Sequence, residues 1–136
     1  MKIQIICIGK LKEKYWTAAA EEYVKRLSRY CDVQITELKE ARLPDKASEA
    51  EEQQVIEEEG SSILKNIKDG SYVISLEIKG DAISSEELAQ KMNRLMTGGK
   101  SHVTFIIGGS LGLSGRVSGR ADMKLSFSKM TFPHQM

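Results

Sequence analysis

Short apolar runs alternate with longer segments of helical periodicity along the whole chain. Runs rich in β-branched and aromatic residues, bounded by turn residues, predict five strands. They cover Lys2–Ile8, Val33–Leu38, Tyr72–Ile78, Val103–Ile107 and Leu125–Ser128. Strands separated by helix-length segments are typical of right-handed crossovers in a parallel sheet. The pattern therefore predicts an α/β fold, with a mainly parallel five-stranded sheet and helices on both faces.

Four segments between the strands space their apolar residues at helical intervals. The predicted helices cover residues 15–31, 48–68, 84–97 and 113–122. Trp16, Tyr23 and Leu27 give the first helix an aromatic face, which is interpreted as core. The acidic run Glu49–Glu59 is interpreted as the solvent-facing side of the second helix, and Pro133 is well placed to open a further one.

Length and composition are those of a single soluble domain spanning residues 1–136, with 40% hydrophobic and 29% charged residues. No apolar run approaches the length of a membrane span, and the first residues predict a strand rather than a signal peptide. Cys7 and Cys31 lie far apart, without metal-ligand spacing, which favours core thiols in a cytoplasmic protein. We therefore expect no metal and no membrane partner.

The net charge of +1 conceals an uneven distribution. Residues 1–46 hold ten basic and seven acidic side chains, and residues 100–136 hold five and one. The middle, residues 47–99, holds five basic and eleven acidic side chains. Positive charge at both ends suits an anionic partner such as nucleic acid.

The fourth predicted strand ends in a glycine loop with Gly108, Gly109 and Gly112. Glycine permits close approach of backbone to a ligand, and ligands of α/β sheets lie beyond the carboxyl ends of strands. The dinucleotide fingerprint and the phosphate-binding P-loop are both absent. A ligand-binding loop and a simple tight turn both remain open.

The segment Leu125–Phe132 interleaves hydroxyl and large apolar side chains. It is either a packed loop or a mostly apolar cradle, which suits an adenine ring better than a phosphate. His134 lies beside it and is a candidate proton acceptor, although a structural role is also open. His102, at the start of a strand, is interpreted as a solvated or capping residue.

A basic and aromatic segment, Lys10–Trp16, follows the first predicted strand. Lysines with neighbouring aromatic rings suit phosphate contacts and base stacking. The alternative is a solvated turn leading into a helix, and both interpretations remain open.

Three motifs together resemble the RlmH family, SPOUT-class methyltransferases that act on large-subunit ribosomal RNA. They are Gly9–Tyr15, Phe105–Gly112 and Leu125–Gln135, and the resemblance extends over the whole chain. It implies methyl transfer from S-adenosylmethionine to N3 of a pseudouridine in 23S rRNA on the assembled ribosome. It also implies a homodimer and a trefoil knot at the carboxyl end of the fold. Members of the family continue beyond the Pro-His-Gln motif into a helix and a tail, before which this sequence ends.

Carried over by position, the resemblance implies a set of cofactor contacts at strand ends. These are Leu76, Gly108, Phe127, Ser128, Lys129, Met130, Thr131 and Phe132. His134 is the candidate for accepting the N3 proton. Two other functions remain open: a non-catalytic RNA- or ribosome-binding module, and a methyltransferase with a different RNA target.

Overall fold

All five strands form one sheet in which every neighbouring pair is parallel, as a computed structural model of residues 1–136 shows. The strands are β1 (Lys2–Ile8), β2 (Asp32–Leu38), β3 (Tyr72–Ala82), β4 (His102–Ile107) and β5 (Met123–Ser126). The helices are α1 (Lys14–Leu27), α2 (Glu49–Asn66), α3 (Ser85–Thr97) and α4 (Gly115–Arg120). The predicted α/β class and parallel sheet are confirmed.

The strand order is β2-β1-β4-β3-β5. Because all strands run in one direction, their carboxyl ends meet at one edge of the sheet. The loops after β1, β4 and β5 therefore lie near one another at that edge. This order is what brings the motifs at the two ends of the chain close together.

The core divides between the two faces of the sheet because successive strand residues point to opposite sides. On one face Ile6, Val73 and Ile106 pack with Ile63 of α2 and Val117 of α4. On the other face a second cluster packs against α3: Ile74, Val103 and Leu125, with Leu88, Met92 and Leu95 around them. The helices α2 and α4 thus cover one face, and α3 covers the other.

The interpretation of the aromatic face of α1 as core is wrong. No residue of this helix is buried: of the predicted face, Tyr23 is 65% and Leu27 42% exposed, and Trp16 is half-buried. The helix adjoins β2, the edge strand of the sheet, so the strand offers it only a narrow apolar surface. The tyrosines remain on the solvent side.

The interpretation of the acidic run in α2 as solvent-facing is wrong at one position. Glu59 is only 7% exposed, whereas most of the other glutamates of the helix remain on its outer side. Val55, Glu59 and Ile63 are spaced four residues apart, so all three lie on the buried face. Gly60 beside it does not break the helix; a Cβ there would collide with the side chain of Ser114.

The third strand is longer than predicted, and the turn expected at Lys79–Asp81 does not form. The strand continues to Ala82 with a register shift, since Leu76 and Asp81 are both partners of Leu125 in β5. The knot implied by the resemblance stays a prediction. Residues 133–136 form a single turn, closed by the Met136 N–H on the Pro133 carbonyl at 3.0 Å. None of the four helices combines the length and apolar character needed to cross a bilayer.

Candidate active site

A cavity of about 550 Å³ lies at the carboxyl ends of β4 and β5, beside the middle of β3, so Leu76 is not at the end of its strand as predicted. We call it the apolar cavity, since eight of its fourteen lining residues are hydrophobic. Its lining is Leu76, Glu77, Ile78, Ile107, Leu125, Ser126, Phe127, Ser128, Met130, Thr131, Phe132, Pro133, His134 and Met136. Six of the eight predicted cofactor contacts are among these residues, together with His134.

Two predicted cofactor contacts, Gly108 and Lys129, do not line the apolar cavity. Gly108 follows Ile107, which does, and its loop folds back so closely that a Cβ would lie 2.9 Å from Leu113 Cδ2. A bridge between Gly109 and Gly112 closes the same loop. Glycine at 108 therefore allows the loop to pack on itself beside the cavity.

The segment after β5 is anchored to the loop after β1 by side chains of the Pro-His-Gln motif. His134 Nε2 lies 2.8 Å from the Ile8 carbonyl oxygen, and the Lys12 N–H donates to Gln135 Oε1 at 3.0 Å. The two ends of the chain thus meet at the apolar cavity. Since a carbonyl only accepts, Nε2 carries the proton and Nδ1 of a neutral His134 is the acceptor nitrogen.

Glu77 is the one carboxylate of the apolar cavity, and two serine hydroxyls hold it. Ser75 Oγ donates to Glu77 Oε2 at 2.6 Å, and Ser118 Oγ of α4 donates to Oε1 and Oε2 at 3.0 and 3.1 Å. Ser75 is fully buried, so the carboxylate is tied to the core on one side and to α4 on the other. Sequence reasoning did not single out Glu77, although it adjoins the predicted contact Leu76.

Glu59 lies behind the glycine loop and was also missed as a site residue. Its Oε2 accepts the Ala41 N–H at 3.1 Å, and a Cβ at Gly109 would approach its Oε1 to 2.8 Å. Burial raises the pKa of Glu59, and the negative charges of Glu40 and Glu58 act in the same direction. The Ala41 N–H and His134 oppose that rise in pKa.

A second cavity, of about 740 Å³, lies along β3 and β5 beside α3. We call it the cationic cavity because Lys79, Lys91, Arg94 and Lys124 line it. Its three carboxylates are Asp81, Glu87 and Asp122.

Two of those three carboxylates are already engaged within the protein. Glu87 Oε2 accepts the Ser84 N–H in the cap of α3, and Asp122 Oδ2 accepts the Val73 N–H and contacts Arg120. The four cations form no ion pairs, and Lys91 lies over the Tyr72 ring at 5.1 Å. The lining of the cationic cavity therefore carries four positive and three negative charges, and the positive ones form no ion pairs.

Of the residues set aside in the sequence, His102 lies far from both cavities. It is partly buried, and its Nδ1 lies 2.9 Å from Ser71 Oγ, at the amino ends of β3 and β4. Burial, and then Lys68 and Lys2, lower the pKa of His102. Burial, and then Glu37, raise the pKa of Cys7, so its thiol is not activated.

A parallel five-stranded sheet with an apolar cavity at its carboxyl edge defines an α/β protein with a candidate site for a small organic ligand. The sequence model described as "Predicted SPOUT methyltransferase" matches residues 1–136, and the chain belongs to this family of methyltransferases. A protein of Alkaliphilus oremlandii named ribosomal RNA large subunit methyltransferase H is 57% identical over 136 residues. Proteins of the same name from Clostridium novyi and Clostridium kluyveri are 55% and 54% identical.

Each of these three alignments covers 100% of this chain and 86% of the relative. The family inferred from the three sequence motifs is therefore confirmed. An enzyme, rather than a non-catalytic binding module, is the class to which the chain belongs.

Proposed function

We propose that this protein transfers a methyl group from S-adenosylmethionine to large-subunit ribosomal RNA. The observation that carries the proposal is the apolar cavity, in which six predicted contacts from two distant parts of the chain meet. Relatives that align with the entire chain bear the name of a methyltransferase for this RNA. The particular target, N3 of a pseudouridine in 23S rRNA, rests on the resemblance.

The lining of the apolar cavity fits S-adenosylmethionine in size and chemistry. Pockets for ligands of this kind measure about 300–1,000 Å³ and combine apolar walls with a few polar groups. Phe127 and Phe132 offer aromatic faces for an adenine ring, and Ser128 and Thr131 offer hydroxyls. No lysine or arginine lines the cavity, so it lacks the groups that bind a phosphorylated nucleotide.

When bound, S-adenosylmethionine supplies an electrophilic methyl group on a positively charged sulfonium. The side chains of the segment after β5 would hold and orient it against the target nitrogen, and such positioning provides much of the rate in a displacement. A nucleophilic N3 must lose its proton. His134 Nδ1 would accept it, because Nε2 donates to the Ile8 carbonyl and fixes the tautomer.

The cationic cavity and the segment Lys10–Lys14 support an RNA substrate. Four cations without ion pairs suit backbone phosphates, which account for most of the affinity of proteins for nucleic acids. Lys12 lies beside the apolar cavity through its backbone contact with Gln135. A near-neutral net charge suits recognition of the assembled ribosome in the cytoplasm.

We also propose that the protein acts as a homodimer. Support comes from five large apolar side chains at the mouth of the apolar cavity that are more than half exposed, which are Ile78, Phe127, Met130, Phe132 and Met136. Contiguous apolar surface of this kind marks an interaction site. Sedimentation equilibrium should give twice the chain mass, and a monomer at all concentrations would refute this part of the proposal.

Two measurements test the proposed function. Calorimetric titration should show saturable binding of S-adenosylmethionine with one site per chain. Incubation with large subunits lacking the modification, followed by mass spectrometry of the RNA, should show one added methyl group on a pseudouridine. Binding with methylation at another nucleotide would indicate a different RNA target, and the absence of both would overturn the proposal.

A further inference from the structure

The apolar cavity has an unusual balance of charge for a site that serves an enzyme of nucleic acid. Of its fourteen lining residues, only Glu77 and His134 are ionisable. Four positively charged side chains on the neighbouring surface line the cationic cavity instead. A ligand of the apolar cavity therefore meets a carboxylate and no lysine or arginine.

Glu77 is oriented by the protein rather than free to move. Both hydroxyls that hold it come from rigid elements, Ser75 in the centre of β3 and Ser118 in α4. Two ionised oxygens offer about four acceptor positions, so contacts with two hydroxyls leave capacity for a ligand. A fixed carboxylate at an apolar wall interacts strongly with a cation because the local dielectric constant is low.

We propose that Glu77 recognises the positive charge of the bound cofactor. The inference rests on the proposed function, since it takes S-adenosylmethionine as the ligand of the apolar cavity. That molecule carries two cationic groups, the sulfonium and the α-ammonium, and a carboxylate can pair with either. Glu77 thereby favours the charged methyl donor over neutral adenine nucleosides that fit the same apolar walls.

The test compares three ligands with the wild-type protein and with Glu77→Gln. S-adenosylmethionine has both cationic groups, S-adenosylhomocysteine has only the ammonium, and 5′-methylthioadenosine has neither. Glutamine keeps the size of the side chain, and its carbonyl oxygen still accepts from Ser75 and Ser118. A pair involving a charged group typically contributes a factor of roughly 10 to 100 in affinity.

We expect Glu77→Gln to lower the affinity for S-adenosylmethionine by that factor. The affinity for 5′-methylthioadenosine should stay within about twofold of the wild-type value. If the affinity for S-adenosylhomocysteine is unchanged, Glu77 pairs with the sulfonium. If it falls as much as the affinity for S-adenosylmethionine, Glu77 pairs with the ammonium. An equal loss for all three ligands, or no loss for any, would overturn the proposal. If no ligand binds the wild-type protein, the proposed function itself has failed.

Glu57→Gln is the matched control, because it removes one negative charge that lies outside the cavity and contacts Arg116. It should leave all three affinities unchanged. If Glu77→Gln does not fold, Ser118→Ala provides a second test, since it keeps the carboxylate and removes one of its two hydroxyl partners. The loss of affinity should then be smaller than in Glu77→Gln but affect the same ligands. An equal loss of affinity for all three ligands would again contradict the proposal.

Discussion

The apolar cavity and the cationic cavity are built on the same two strands and yet have opposite chemistry. In β3, Leu76–Ile78 line the first, whereas Tyr72 and Lys79–Asp81 line the second. In β5, Lys124 lines the cationic cavity and Leu125 the apolar one. The register shift between Leu76 and Asp81 lies where the lining changes. A single strand pair can therefore line an apolar cavity and a charged one on adjoining surfaces.

The largest effect is expected from a substitution that damages both cavities at once. Leu125 is 2% exposed, pairs with Leu76 and with Asp81, and belongs to the core cluster under α3. Leu125→Ala should lower the free energy of unfolding by about 2–5 kcal/mol, because it leaves a cavity in the core. Denaturant unfolding measures this loss. A change below about 1 kcal/mol would contradict the central role of Leu125.

A bulky residue in place of Gly108 should damage the apolar cavity and leave the cationic cavity intact. Gly108→Val places a Cβ against Leu113 and distorts the glycine loop, so we expect binding of S-adenosylmethionine to be abolished. Calorimetry measures the binding, and circular dichroism checks the fold. Gly115→Ala is the control, since nothing lies within 4 Å of its Cβ. Retained binding in Gly108→Val would remove Gly108 from the site.

Removal of positive charge from the cationic cavity should impair RNA binding and spare the apolar cavity. The triple variant Lys79→Gln, Arg94→Gln and Lys124→Gln should weaken RNA binding and leave the affinity for S-adenosylmethionine unchanged. The slope of log affinity against log salt should fall by roughly 0.7–0.9 for each RNA phosphate that the variant no longer neutralises. Filter binding to a 23S rRNA fragment at several salt concentrations measures both quantities.

The corresponding triple variant of Lys10, Lys12 and Lys14 tests the other basic segment in the same assay. A loss of RNA affinity in this variant, with none in the variant of the cationic cavity, would assign RNA binding to the loop after β1. The cationic cavity would then have no part in substrate recognition.

The smallest effect is expected at Glu59, behind the glycine loop. Its pKa is raised in the folded protein, so the folded state binds the proton more tightly than the unfolded chain does. The stability that this group contributes is thus lost as pH rises above the reference value of 4.5 and through the raised pKa. Glu59→Gln removes that dependence and keeps an acceptor for the Ala41 N–H.

We expect the melting temperature of Glu59→Gln to rise relative to that of the wild-type protein as the pH rises from about 4 to about 8. Calorimetric melting of both proteins across this range measures the difference. A difference that is constant with pH would show that Glu59 titrates in the same way in the folded and unfolded states.

Much of the architecture follows from sequence periodicity alone. The bounds of β1 agree with the prediction, and Ser48 and Ser84, where two of the predicted helices begin, are the N-caps of α2 and α3. Periodicity failed where tertiary context decides burial. Tyr15 and Tyr23 of α1 remain exposed beside an edge strand, and Glu59 is buried although it ends an acidic run.

Residue chemistry singled out the glycine loop, the segment Leu125–Phe132 and His134 but left their interpretation open, and the individual cofactor contacts were predicted through the resemblance. The pairing of His134 with Ile8 and of Lys12 with Gln135 joins positions more than 120 residues apart, which no local pattern reveals. Glu77 was missed because its role depends on Ser118, which reaches it from another element. The spacing of Val55, Glu59 and Ile63, by contrast, was a signal in the sequence that Glu59 faces inward.

The central claim is that the methyl donor binds in the apolar cavity. It is tested most directly by titrating the isotope-labelled protein with S-adenosylmethionine and following backbone amide shifts by NMR. We predict that the largest shifts fall on Gly108 and on Phe127–Phe132, with α3 and Lys79–Asp81 unaffected. Shifts confined to α3 and Lys79–Asp81 would place the ligand in the cationic cavity and contradict the claim.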